Sequence, residues 1–228
     1  MMAYWFAIVA TFILPAGLII GAAIRQRKVM PVLLGILCFM VAQVFLRIPL
    51  LRYIATQTWY IEQMRAHPIL VTACIALSAG LFEEVGRWVF MKQGKLNTLA
   101  DGIAFGIGHG GIEAILLVGL NVVLLGTQPQ LLAETPAVSF MQTGVERMSA
   151  LLMHVSLTLL VWRGLRLHRK SWLFAVILLH GLVDFFAAYL QMMQVSIWTI
   201  EWVLCGLTLV LFAVSVSLLW KDKSKNRA

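Results

Sequence analysis

The chain has 228 residues, 61% of them apolar and only 12% charged, with a mean hydropathy of +0.90. Soluble domains carry about 25% charged residues, so this composition belongs in a lipid bilayer and excludes disordered, collagen-like and disulfide-stapled chains. The formal net charge of +8 is not a nucleic-acid signal, because most basic residues stand at the ends of apolar runs, where membrane proteins place lysine and arginine.

A spanning helix needs about 20 mostly apolar residues. Runs of that kind predict seven spans in chain order, at 3–24, 29–50, 69–91, 99–125, 141–163, 171–192 and 198–220. The first has neither a basic leader region nor a small-residue cleavage site, so it is expected to be a retained span. Residues 51–68, with Trp59, Tyr60, Glu62 and Arg65, are expected to lie as an amphipathic segment at the external interface. Cys38, Cys74 and Cys205 each sit inside an apolar run, which offers no disulfide framework and no cysteine-rich metal knuckle. The expected architecture is an all-α polytopic bundle of about seven transmembrane helices, forming one membrane-embedded domain over 1–228.

Orientation follows from the basic residues. With seven spans, Arg25, Arg27, Lys28, Lys92, Lys95, Arg163, Arg166, Arg169, Lys170, Lys221, Lys223, Lys225 and Arg227 fall on one side, 13 of the 18 lysines and arginines. By the positive-inside rule that side is cytoplasmic, which puts the N-terminus outside and the C-terminus inside.

Ionisable groups within spans are costly, about 2.5–3.5 kcal/mol for a charge at the centre of a helix on insertion scales, and each calls for a reason. Here they cluster. Span three carries Glu83, Glu84 and Arg87; span four carries His109 and Glu113; span five carries Glu146, Arg147 and His154; span six carries His180 and Asp184. Glu83 lies nine residues before Lys92, His154 nine before Arg163, His180 ten after Lys170 and His109 ten after the start of span four at 99. At 1.5 Å per residue each stands about 14 Å from the cytoplasmic boundary, so four helices bring polar groups to one layer. Glu83 with Arg87, His109 with Glu113 and His180 with Asp184 are each four apart and share a helix face. Gly102, Gly106 and Gly110 repeat at the same spacing, a pattern that permits close helix approach beside His109.

Carboxylates and histidines in a wet cavity within the bilayer suit hydrolysis: a glutamate takes a proton from water, and a histidine or a metal stabilises the oxyanion. The same groups suit zinc, which accepts imidazole nitrogen and carboxylate oxygen and in catalytic sites keeps three protein ligands. His109, Glu113, His154 and His180 are the candidate metal ligands. No His-Glu-x-x-His lies on one helix, and neither Ser78 nor Ser156 sits in a nucleophile elbow.

The motifs Glu83-Glu84-x-x-Arg87, Phe105-x-x-x-His109 and His180-x-x-x-Asp184, on successive helices, resemble those of the CAAX-protease and bacteriocin-processing superfamily of intramembrane proteases. With Gly-His-Gly-Gly-Ile-Glu at 108–113 and the stretch from Glu146-Arg147 to His154, the chain is most similar to the YhfC and PrsW branch, over roughly 30–190. The resemblance implies that Glu83 is the water-activating base and Glu84 a second active-site carboxylate. It implies that Arg87 holds the pair, that His109 binds or polarises water, and that His180 with Asp184 forms the last motif. Two departures stand out: motif one has two residues before its arginine where three are usual, and Asp184 replaces a common asparagine. An ionised Asp184 cannot donate to an oxyanion, so it is expected to orient His180 or serve a metal. The additional Glu113 and His154 favour a metal site, with zinc the expected ion, although the superfamily has been described as both glutamic-type and metal-dependent.

The function expected is therefore an endopeptidase of the bacterial inner membrane acting on membrane protein or peptide substrates, with no nucleic-acid partner. The alternatives are an ion- or proton-coupled transporter, for which no inverted repeat is found, and a non-catalytic membrane scaffold. Haem binding fits poorly with so many carboxylates. The oligomeric state is not legible from the pattern.

Overall fold

The computed structural model describes residues 1–25 and 27–225; Arg227, and the side chains of Arg25, Lys223 and Lys225, on which part of the charge argument rests, lie outside the described residues. Among the described residues every regular element is helical. The spans are α1 (Met2–Ile24) and α2 (Val29–Ala55). A short α3 (Thr58–Ala66) leads into α4 (Pro68–Gln93). Then come α5 (Leu99–Leu125), a short α6 (Pro129–Glu134), α7 (Ala137–Arg166), α8 (Ser171–Met192) and α9 (Ile197–Lys225). Seven of these are long and apolar enough to cross a membrane, as the hydropathy pattern requires.

One boundary differs in consequence. The second span runs to Ala55, so the stretch expected as a single interfacial segment over 51–68 is divided, its first residues completing α2 and its remainder forming α3. The apolar pattern stops at the charge of Arg52, yet the helix carries on past it, and Pro49, which lacks an N–H and crowds the preceding turn, does not end it either. The helix absorbs it through a π-helical stretch over Met40–Arg47 instead of ending. Pro15 follows a second such stretch, Val9–Ile13, in α1. A third, Ala114–Gly119, begins directly after Glu113. Wide turns of this kind occur often at functional sites, and two of these carry or adjoin polar residues of the cavity described below. α3 buries no residue and exposes Trp59 and Ile61.

α7 is the hub, packed against α5, α9, α1, α8 and α4, while α2 lies along α5 and α8 along α4. Missing side chains allow these helices to approach. A Cβ on Gly106 would come within 2.9 Å of Val155 Cα in α7, and one on Gly181 within 2.9 Å of Leu77 Cα in α4. The glycine repeat predicted on span four thus faces α7, where Gly110 meets His154. The N-terminus of α5 is fixed by a capping box, with Thr98 Oγ1 accepting from Asp101 N (3.1 Å) and Asp101 Oδ2 accepting from Thr98 N (2.8 Å). Lys28 pairs with Asp101 at 2.8 Å and ties the start of α2 to it.

The main apolar cluster, built on Met91, Phe105, Leu157, Leu160, Val161 and Val176, fills the half of the bundle nearer the loops 94–98 and 167–170. Above it the interior turns polar. The outer surface is apolar, with Phe45, Phe174, Trp202, Leu209 and Val210 all exposed, as a lipid-facing surface must be.

Candidate metal centre

The four helices predicted to contribute polar residues at one depth do meet. Glu83, Glu84, Arg87, His109, Glu113, His154 and His180 are all buried. Three imidazoles stand in a row: the His109 and His154 ring centres are 5.4 Å apart, and those of His154 and His180 5.7 Å.

Arg87 organises the carboxylates. One turn on from both glutamates, it donates from Nη1 to Glu84 Oε1, from Nη2 to Glu83 Oε2 at 3.1 Å, and from Nη2 to His154 Nδ1 at 2.7 Å. Glu83 also accepts from His109 Nε2 at 2.9 Å, while its Oε1 accepts from Gln43 Nε2. Since the His109 Nε2 proton points at Glu83, its Nδ1 keeps a free lone pair, and that atom is buried without a hydrogen-bond partner. Glu113 Oε2 is also buried, and His154 Nε2 stands 2.6 Å from it as its ion-pair partner.

One atom from each of Glu83, His109, Glu113 and His154 can be chosen so that all four lie within 4.8 Å of one another. Two imidazole nitrogens and two carboxylate oxygens make a donor set that fits zinc. The orphaned His109 Nδ1 is what a site for a cation leaves unsatisfied. Three of the four expected ligands, His109, Glu113 and His154, fall in this group; Glu83 completes it, and His180 stands outside. His180 Nδ1 instead donates to Glu84 Oε1 at 2.7 Å, with Nε2 4.0 Å from Glu83 Oε1. Asp184 Oδ2 lies 3.7 Å from His180 Nε2, too far for a hydrogen bond, so the carboxylate that orients His180 is Glu84.

A cavity of about 360 Å³ reaches the cluster. Glu83, Glu113, His154, His180 and Asp184 line it, and Arg47, Glu146, Arg147 and Glu201 carry its wall on towards the loops at 56–57, 126–136 and 193–196. The apolar cluster closes the opposite side. Access to the polar layer is therefore from the half of the bundle that carries the N-terminus.

Two residues of the network had no signal in the motif pattern. Gln43 and Arg47 come from α2, a span for which no site residue was expected. Arg47 donates to Gln43 Oε1 (3.2 Å), Ser78 Oγ (3.0 Å) and Ile75 O (2.9 Å), and so ties α2 to α4 beside Glu83. Their four-residue spacing inside an apolar run was the one available clue. Ser156 is buried, and its hydroxyl donates to Leu152 O of its own helix at 2.7 Å.

A multi-pass helical membrane protein with a buried glutamate and histidine cluster at the floor of an interior cavity has the makings of an intramembrane hydrolase. The chain belongs to the family described as YhfC intramembrane metalloprotease, whose pattern matches residues 10–128 and 124–205. It is 33% identical to the "Uncharacterized membrane protein YhfC" of Bacillus subtilis (strain 168), over 76% of this chain and 78% of that protein. No solved structure matches.

Proposed function

We propose that this protein is a zinc-dependent endopeptidase of the bacterial cell membrane that hydrolyses peptide bonds of membrane-associated substrates, its seven spans acting as one domain. The observation that carries this reading is the buried group of Glu83, His109, Glu113 and His154, with candidate ligand atoms within 4.8 Å of one another at the floor of a cavity. Membership of a metalloprotease family supports it. The bias of basic residues supports an external N-terminus, so the cavity would open to the outside of the cell.

His109, Glu113 and His154 would hold the zinc, three protein ligands as catalytic sites keep. A zinc ion bound there supplies Lewis acidity, drawing electron density from a water oxygen or a substrate carbonyl. Glu83 is the base: it takes a proton from the attacking water and passes it to the leaving amine. Gln43 and Arg87 hold its two oxygens, so the carboxylate is aimed before substrate arrives. Glu84 accepts from His180 Nδ1 and fixes the ring, so that in the imidazolium form Nε2–H faces the cavity as the donor that stabilises the oxyanion. The apolar cluster beneath, together with the surrounding helices, keeps bulk water out and strengthens each of these contacts.

The test is elemental analysis of the detergent-purified protein beside cleavage of a reconstituted transmembrane peptide. The expected result is about one zinc per chain, lost in His109→Ala and His154→Ala, with Glu83→Gln keeping its metal and losing cleavage. A metal-free wild-type protein that cleaves, or full activity in Glu83→Gln, would overturn the assignment.

A further inference from the structure

We propose that Glu201 determines specificity, forming a subsite in the same cavity that receives a cationic side chain, lysine or arginine, of the peptide being cleaved; this rests on the protease reading above. Glu201 is only 6% exposed, it lines the cavity, and its Oε2 is buried with no hydrogen-bond partner among the described residues. A carboxylate withdrawn from water without a donor is costly, and its position four residues into α9 offsets that only in part, through the helix dipole.

The cavity's own cations are already engaged. Arg147 pairs with Glu113 at 3.1 Å and with Glu146, and Arg47 is held by Ser78, Ile75 and Gln43. Of the remaining carboxylates in the wall, Asp184 is 3.7 Å from His180 and a third exposed, so it adds a second negative group nearer the floor. A protonated amine or a guanidinium supplies what Glu201 lacks, a charge-assisted donor. Val183 of α8 and Leu204 of α9 line the same cavity and give the aliphatic stem of such a side chain apolar wall to lie on. Helix geometry places the subsite on the access side of the metal ligands: Glu201 is about 6 Å from the start of α9, whereas His154 is about 25 Å from the start of α7. The bound chain would then run from the mouth past Glu201 to the scissile bond at Glu83.

The experiment uses the full protein in proteoliposomes with transmembrane peptides identical except for one residue, lysine, glutamine or glutamate, moved stepwise along the externally placed half. At one position the lysine peptide is expected to show a KM about tenfold below that of the glutamine peptide. Glu201→Gln should erase that difference while leaving kcat on the glutamine peptide unchanged, and Glu201→Lys should transfer the preference to the glutamate peptide. Equal losses on all peptides in Glu201→Gln, or cleavage by the wild type without charge preference, would overturn the subsite and leave the protease reading standing. Anisotropy of the labelled peptides separates the two in the other direction. Lysine-selective binding that Glu201→Gln abolishes, with no peptide cleaved, supports the subsite and overturns the protease reading.

Discussion

Replacing Arg87 by methionine removes the permanent positive charge that contacts both Glu83 and Glu84 while keeping a long apolar side chain in its place. Arg87 is completely buried, as is Glu84, and Glu83 is 3% exposed. Losing one partner of a buried ion pair costs about 3–5 kcal/mol, because the other charge is left uncompensated. Glu83 keeps its bonds from Gln43 and His109, whereas Glu84 keeps only His180 and already has an unpartnered Oε2. The penalty should therefore fall mostly on Glu84 and lie at the low end of that range, about 3 kcal/mol. Neutralising that carboxylate in the same protein, as Arg87→Met with Glu84→Gln, keeps an acceptor for His180 and should recover more than half of the loss. Reversible unfolding in mixed micelles, followed as a function of denaturing detergent, reads both numbers. A single variant within about 1 kcal/mol of wild type, or a double variant no more stable than the single, would refute the claim that Arg87 acts as counter-charge to the pair.

Gln43→Leu should lower the catalytic rate with little change in zinc content, since Gln43 holds Glu83 Oε1 and is not among the grouped ligand residues; a loss of about ten- to a hundredfold is expected for a positioning group, read as kcat at unchanged KM. Ser156→Ala should leave cleavage and stability within experimental error, because its hydroxyl only returns to Leu152 O; a large loss of activity would reopen serine chemistry. Gly181→Leu places atoms where Leu77 Cα lies 2.9 Å from the first added carbon, and should part α8 from α4. The expected cost is about 1–3 kcal/mol in the same unfolding assay, with His180 drawn away from Glu84 and activity falling as well. Ala187→Cys, in a background without the native cysteines, should react with a membrane-impermeant thiol reagent added outside intact cells, since Ala187 lines the cavity wall. Labelling from the inside alone would reverse the orientation drawn from the charge bias.

Much of the site was legible because a bilayer makes polarity conspicuous. In an apolar span an ionisable residue must be compensated, so Glu83, Arg87, His109, Glu113, His154 and His180 announced themselves, and rise per residue put Glu83, His109, His154 and His180 in one layer before any packing was known. The seven spans were equally plain, because length and hydropathy are properties of each segment alone. Local rules reached their limit near Arg52, where the apolar pattern stopped but the helix continued to Ala55.

What only the tertiary structure decided is which atoms face which. Helix rotation and crossing are set by packing between spans, and here glycines such as Gly106 and Gly181 let α5 reach α7 and α8 reach α4 closely enough for side chains to interleave. That packing placed Glu83 among the grouped ligand atoms and left His180 outside them, gave His180 to Glu84 in preference to Asp184, and drew Gln43 and Arg47 of α2 into the network. It also set the side from which the cavity is reached, because the apolar side chains of Phe105, Leu157 and Val176, unremarkable in any single span, converge only in three dimensions to close the other end.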